Sequence, residues 1–343
     1  MKNIIISLII LILANSCVSP EKKPETTGAD EGRVKGAFEI ACVGDIMPGR
    51  RMAKVIEEKG IDYVFDSVRP ILKQCPVVFG NLETPLVHED IGTLTKNGRK
   101  QVYLYAEEIA ADGLKSAGFN VLSLANNHVL DYGQKGIIQT MEILEKRGIK
   151  WQGIRKGALF IANEPAIIEV EGTKVGFLCY SEVSHWKHSP TVSRWGTNPC
   201  IFKEIKRDIK NARPKCDILI VYLHWGKENR KVQKFQYVNA KKVMNFGADA
   251  VIGSHTHLFQ DVELYDNRFV FYGMGNFVFD MEKERTKNSG IVKFRVENKK
   301  ITGASIVPVY LEDYRPVVIS DYTKKAEFIS GLQLINLEPE DLM

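Results

Sequence analysis

Asp217-Ile-Leu-Ile-Val-Tyr-Leu-His224 and Asp249-Ala-Val-Ile-Gly-Ser-His-Thr-His257 are the two stretches that decide how this chain is read. Each opens as an apolar run rich in β-branched residues and reads as a short buried strand. Each closes on histidine. Two imidazoles at i and i+2 of an extended segment point to the same side, so His255 and His257 are expected to share a face. Imidazole is the commonest protein metal ligand and titrates near neutral pH. Three histidines at the carboxyl ends of strands, flanked by glycines, point to a metal cluster rather than to three unrelated polar residues.

Working outward, the chain repeats this arrangement. Phe38-Glu-Ile-Ala-Cys-Val runs into Gly44-Asp45, Val77-Val-Phe into Gly80-Asn81-Leu82-Glu83, and Asn120-Val-Leu-Ser-Leu-Ala into Asn126-Asn127-His128. Five apolar strands thus end in potential ligands, and helical stretches separate several of them. In alternating β/α architectures ligands bind outside the carboxyl ends of the strands, so these residues are expected to converge. Their donors are oxygen and nitrogen, with no thiolate. That set suits Mn, Fe or Zn in a carboxylate–imidazole site better than a structural zinc, which prefers cysteine.

The strings Gly44-Asp-Ile-Met-Pro-Gly-Arg50, Gly80-Asn-Leu-Glu-Thr-Pro85, Ser123-Leu-Ala-Asn-Asn-His128 with Asp131-Tyr-Gly133, His224-Trp-Gly226, Gly253-Ser-His-Thr-His257 and Tyr272-Gly-Met-Gly-Asn-Phe277 resemble, in order, the CapA family. This is the poly-γ-glutamate capsule biosynthesis family, related to calcineurin-like metallophosphoesterases. The resemblance spans residues 38–281 and implies a four-layer α/β/β/α sandwich. It also implies roles. Asp45 takes the place of the first metal ligand. The phosphoesterase histidine two residues on is Met47 here, which leaves either an open coordination position or weaker binding. Glu83 or Asn81 supplies the bridging or neighbouring oxygen. Asn127, His224, His255 and His257 complete the ligands of two divalent ions, and His128 becomes a substrate-facing acid. Ions in such a pair lie roughly 3.5–4 Å apart, generate hydroxide near neutral pH and clamp an anionic transition state. The implied substrate is a phosphoester or an anionic polymer such as poly-γ-glutamate, and the implied partner a membrane capsule-synthesis complex. Fold alone does not establish phosphatase activity.

Accessory residues carry alternatives. Arg50 and Arg51 start a helix and either grip a substrate anion or lie on the surface. Asp131 either orients His128 or caps the next helix. Asn276 either lines the site, touching substrate, or serves a turn. His88, His185 and His188 read as outside the site.

The chain has 343 residues, 44% of them hydrophobic, with a net charge of +5. That suffices for one large domain, read over residues 37–310, and gives no support to nucleic-acid binding. Met1-Lys-Asn followed by the apolar run Ile4–Leu13 is too short to span a bilayer and reads as a signal peptide over residues 1–16. Ala14-Asn-Ser-Cys17 resembles a lipoprotein cleavage box, with Cys17 lipidated at the cell envelope. Residues 17–36 read as a flexible tether. The five other cysteines show no C-x-x-C pair and read as buried thiols rather than a disulfide framework. Helices are expected near 50–59, 62–74, 107–117, 134–147, 201–212 and 231–246. Antiparallel strands come last, and residues 311–343 read as a short helix with a loose acidic tail.

Overall fold

The structure is a computed structural model, described here for residues 36–88, 94, 96–97, 100–157, 163–183, 190–191 and 193–343. Two sheets form its interior. The first has the spatial order Arg315–Val318, Lys300–Glu312, Asn288–Glu297, Phe38–Ile46, Val77–Leu82, Val121–Ser123, Lys150–Gln152, with Asn276–Val278 also pairing on Phe38–Ile46. The second runs Leu334–Ile335, Val262–Tyr265, Arg268–Phe271, Ala250–Ser254, Ile218–His224, Thr173–Ser181, Ala166–Val170. In both, the central strands are parallel, and antiparallel pairs lie further out.

Alternation along the strands builds the layers. In Ile218–His224, Ile218, Ile220 and Tyr222 face the other sheet, while Leu219, Val221 and Leu223 face helices. A strand covered on both faces has no use for polar residues, hence its continuous apolar run. Between the sheets, Ile40, Cys42, Phe79 and Val121 meet Phe177, Cys179, Ile220 and Ile252. Phe79 stacks on Phe177 with ring centres 5.0 Å apart. The outer face of the first sheet is covered by helices Arg51–Lys59, Ile109–Ala117 and Gly133–Lys146, and that of the second by Phe202–Ala212 and Lys234–Phe246. The result is the α/β/β/α sandwich expected from the sequence.

Three details differ from expectation. The single helix read over 62–74 is two short pieces, a 3-10 turn Ile61–Phe65 and a helical turn Arg69–Leu72. Pro70 causes the break, because its ring lacks an N–H and would clash with the carbonyl of Asp66 in a continuous helix. The strand Lys300–Glu312 passes through the boundary expected at 310. Beyond it, Arg315–Val318 and Leu334–Ile335 extend one sheet each, helix Tyr322–Ser330 lies between them in sequence, and Leu342 is fully buried. Apolar side chains at Ile329, Leu337 and Leu342 draw this segment onto the inter-sheet core. Finally, Trp195–Thr197, for which no strand was expected, pairs antiparallel with Ile154–Lys156.

The five cysteines other than Cys17 form no disulfide; four are buried and Cys200 partly so. Among the described residues no helix is long and apolar enough to cross a membrane. The expected signal peptide, Cys17, most of the tether, His185 and His188 lie outside the described residues.

Candidate metal centre

The carboxyl ends of the parallel strands of both sheets meet at one edge of the sandwich. Asp45 is brought there by an irregularity: the register between Phe38–Ile46 and Val77–Leu82 shifts between Cys42 and Asp45. Gly44 permits this, since a Cβ there would stand 2.0 Å from the Gly275 carbonyl oxygen. The Asp45 amide donates to that same carbonyl at 2.9 Å.

The segment after Ser254 is not extended. His255 and His257 have φ of 90° and 59°, a left-handed conformation that β-carbon-bearing residues seldom adopt. The strand ends at Ser254, and the His255 amide donates to Asp45 Oδ2 at 3.2 Å instead of continuing a ladder. The turn separates the two rings, whose centres are 6.4 Å apart, so the expected shared face is replaced by two destinations. His255 joins Glu83 and His224, while His257 joins Asp45 and Glu83. In each group the ligand atoms lie within 4.8 Å of one another, and Glu83 belongs to both.

This geometry separates Glu83 from Asn81. The Asn81 amide nitrogen donates to Asp45 Oδ1 at 2.8 Å, and its oxygen accepts from Asn126 at 3.2 Å. Asn81 is therefore a brace for Asp45. Glu83, buried to 1% exposure, reaches His224 Nε2 at 3.5 Å through Oε1, and its Oε2 has no partner. Asn127 Oδ1 lies 2.8 Å from His224 Nε2 and so adds an oxygen to the first group.

Burial sets the charge state of these residues. It pushes Glu83 up to about 8, with the Asp45 carboxylate adding to the effect. It pulls His224 down to about 3 and His255 well below its ordinary value, the latter helped by the neighbouring histidines. For His257 burial also pulls downward, but Glu83, Asp45 and the Asn276 bond outweigh it, so its net shift is upward. Neutral imidazole is the ligating form. A buried carboxylate oxygen and the unpartnered His255 Nδ1 are costly in a site with nothing to bind, and a cation satisfies both. The residues present fit a divalent ion, with oxygen and nitrogen donors and no sulfur in either group.

Around the ligands lies a set of supports. His257 Nδ1 meets Asn276 Oδ1 at 2.8 Å, and the Asn276 amide donates to the Thr286 carbonyl at 3.1 Å. Asn276 is fully buried in a strand paired with Asp45, so it positions His257 and makes no turn. The Tyr222 hydroxyl oxygen lies 2.9 Å from His224 Nδ1, and an Nδ1 proton donated to it leaves Nε2 unprotonated and directed toward the site. Asn126 accepts the amides of His128 and Val129 at 3.0 and 2.8 Å and donates to the Leu82 carbonyl at 2.8 Å. His128 Nδ1 lies 2.8 Å from Asp131 Oδ2, leaving Nε2 for a substrate. Asp131 thus orients His128, while the helix Gly133–Lys146 that follows is preceded by Tyr132 and has no side-chain cap. Lys100 donates to Asp131 Oδ1 and to the Asn127 carbonyl.

Arg50 is half-exposed and pairs with Asp280 at 3.2 Å. Asp280 follows Phe279, whose ring centre is 4.8 Å from that of His257, so Arg50 lies at the same edge. Arg51 pairs with exposed Glu282. His88 pairs with Glu108 at 3.3 Å on the surface. Sequence reasoning missed Lys100, which stands in an irregular stretch with no periodicity. It also missed Tyr222, which was legible as the residue two positions before His224 on the same strand face.

Two curated relatives are similar over most of this chain. One is the capsule biosynthesis protein CapA of Bacillus anthracis, 30% identical over 327 residues, covering 94% of this chain and 79% of the relative. The other is the PGA biosynthesis protein CapA of Bacillus subtilis (strain 168), 29% identical over 288 residues, covering 84% and 75%. In fold, the chain is like the crystal structure of a hypothetical protein from Thermus thermophilus, with a TM-score of 0.51 at 14% identity over 80% of this chain and all of that one. The family described as bacterial capsule synthesis protein PGA_cap matches residues 39–281, and with that span and a 30% identical relative covered over most of its length, this chain belongs to that family.

Proposed function

We propose that this protein is a metal-dependent hydrolase of the cell envelope that serves poly-γ-glutamate capsule synthesis or export, cutting a phosphoester or the polymer's own amide. The observation that carries the reading is Glu83 shared between two buried ligand groups, with His128 held beside them by Asp131. The names of the two Bacillus relatives support the capsule context. Asp45, Glu83, Asn127, His224, His255 and His257 would hold two divalent ions of the Mn, Fe or Zn type. When bound, such ions supply hydroxide at neutral pH and stabilise anionic charge.

The chain's own residues do the rest. Asp131 fixes the His128 ring through Nδ1, so that Nε2 presents its proton to a leaving oxygen, a role typically worth about 10²–10⁴-fold in rate. Lys100 balances the buried Asp131 charge. Arg50 stands at the edge to receive an anionic group. The leader over residues 1–16 directs export, and lipidation at Cys17 with the tether to 36 holds the domain at a membrane, within reach of a capsule-synthesis complex.

A second reading has its own observation. Met47 fills the place of a phosphoesterase ligand, which favours a non-catalytic component that binds or exports the anionic polymer. Purified protein carrying stoichiometric metal, assayed against a phosphodiester panel and γ-glutamyl polymer, decides. Metal-dependent turnover supports the hydrolase, metal and polymer binding without turnover supports the second reading, and absence of stoichiometric metal refutes both.

A further inference from the structure

Resting on the metal-site reading above, we infer that the two ligand groups are unequal. The chain holds one divalent ion tightly at Glu83, Asn127, His224 and His255, and a second weakly at Asp45, Glu83 and His257.

The donor count is the first argument. The tight group offers four protein ligands, two of them imidazoles. The weak group offers three, one of them Glu83, which the tight group also uses. The residue that would make a fourth is Met47. It is fully buried among Leu104, Phe279 and Leu311, and its Sδ lies against Gly49, where a Cβ would be 3.4 Å away. A thioether suits soft metals and is a poor ligand for Mn or Zn in an oxygen–nitrogen site. Its backbone is held as well, the amide donating to the Val278 carbonyl at 2.7 Å, and its full burial leaves the side chain no room to swing out.

Preorganisation is the second argument. His224 is fixed by Tyr222 at Nδ1 and already points Nε2 at Asn127 and Glu83, at 2.8 and 3.5 Å. His255 Nδ1 is buried and unpartnered, so a cation there gains a donor that gives up nothing. In the weak group both Asp45 oxygens already accept hydrogen bonds, from Asn81 at 2.8 Å and from the His255 amide at 3.2 Å. Charge in that group comes from Asp45 and a shared Glu83, with a single imidazole.

The consequence is a protein that keeps one ion through purification and takes up the second only at higher free metal. Changes around metal ligands typically alter affinity about 10–100-fold, so a missing ligand sets that as the least separation expected. The test uses the full chain, stripped with chelator and dialysed against graded buffered Mn²⁺, with bound metal read by elemental analysis and paired ions by electron paramagnetic resonance. Two uptake steps at least ~10-fold apart in free Mn²⁺ are expected, with spin-coupled signal only in the second. His257→Ala and Asp45→Asn should each delete the second step and keep the first, whereas His224→Ala should delete the first. Met47→His, where it folds, should draw the steps together. Uptake of two ions in one step by the wild type, or loss of the first ion in His257→Ala, overturns the inference and leaves the metal site standing. Uptake of no ion refutes the metal site itself, and the inference with it.

Discussion

Removing the metal should give the protein a peaked dependence of stability on pH, and Glu83→Gln should flatten its alkaline side. In the metal-free fold Glu83 is pushed up to about 8 from an ordinary value of 4.5. Below pH 4.5 the carboxyl is protonated in both folded and unfolded chains, and its contribution is fully present. Above 4.5 the unfolded chain releases the proton and the folded chain does not, so stability falls as pH rises, levelling off above about 8. The difference of 8 − 4.5 = 3.5 units corresponds, at about 1.36 kcal/mol per unit, to a loss of up to about 5 kcal/mol. His257, raised by the carboxylates beside it, adds to the loss on the alkaline side. His224 and His255 act oppositely. Their folded values are depressed, so their contribution is present above pH 6.5 and is lost as pH falls below it, for His224 toward about 3. The two arms place the stability maximum of the metal-free protein near pH 6.5. Urea denaturation of chelator-treated protein from pH 5 to 9 measures this. Glu83→Gln, which has no charge to bury and removes one carboxylate facing His257, should lose much less between pH 6.5 and 9 than the wild type. Added Mn²⁺ should flatten the wild-type profile, since the ion stabilises the ionised carboxylate and the neutral imidazoles together. Parallel wild-type and Glu83→Gln profiles across pH 6.5–9 would refute the argument that Glu83 is buried without a compensating partner.

His128→Ala should retain metal by elemental analysis and lose about 10²–10⁴-fold in turnover, with substrates of low leaving-group pKa losing least because they need no acid. Loss of metal equal to that in His255→Ala would make His128 a ligand instead. Asn126→Ala leaves the amides of His128 and Val129 and the carbonyl of Leu82 without their partner, and should lower stability by about 1–3 kcal/mol in urea titration; an unchanged midpoint would mean that water replaces those bonds. Cys17→Ser should move the protein from the membrane fraction to a soluble or retained form, because stable anchoring needs more than one acyl chain and all of them depend on that cysteine. A membrane fraction unaltered by the substitution would end the lipid-anchor proposal.

The elements that were legible in the sequence are those whose burial pattern is simple. Ile218–His224 and Ala250–Ser254 are covered on both faces, so apolar character alone marks them. Helix Ile109–Ala117 stops at Gly118, whose φ of 105° only glycine adopts without strain, and the stop was readable for that reason. Asn276–Val278 was not readable, because a three-residue strand in a glycine-rich string has too few residues to show alternation. The ligands were legible through position, at strand ends, and through the family's strings. What could not be read was orientation. Whether Asn81 or Glu83 faces the ligands depends on which side the pleat and the turn after Leu82 present. The separation of His255 from His257 depends on left-handed backbone at residues that ordinarily avoid it.

Those departures gather in one place. The register shift before Asp45, the left-handed backbone at His255 and His257, the partnerless Glu83 Oε2 and His255 Nδ1, and the raised Glu83 all lie within the two ligand groups or beside them. Each is unfavourable taken alone, and left-handed non-glycine backbone costs roughly 1–3 kcal/mol per residue. The surrounding structure is strong enough to hold them: two apolar sheets pack face to face beneath, and Asn81, Asn126, Tyr222, Asn276 and Asp131 spend their polar groups on fixing neighbours. Only a ligand makes the unfavourable features favourable together, since one cation answers a buried carboxylate and neutral imidazoles at once. Met47 marks where that logic stops. Its side chain was given to packing with Leu104, Phe279 and Leu311 rather than to the site, and the second half of the centre has to function with what remains: one imidazole, one carboxylate of its own and one that it shares.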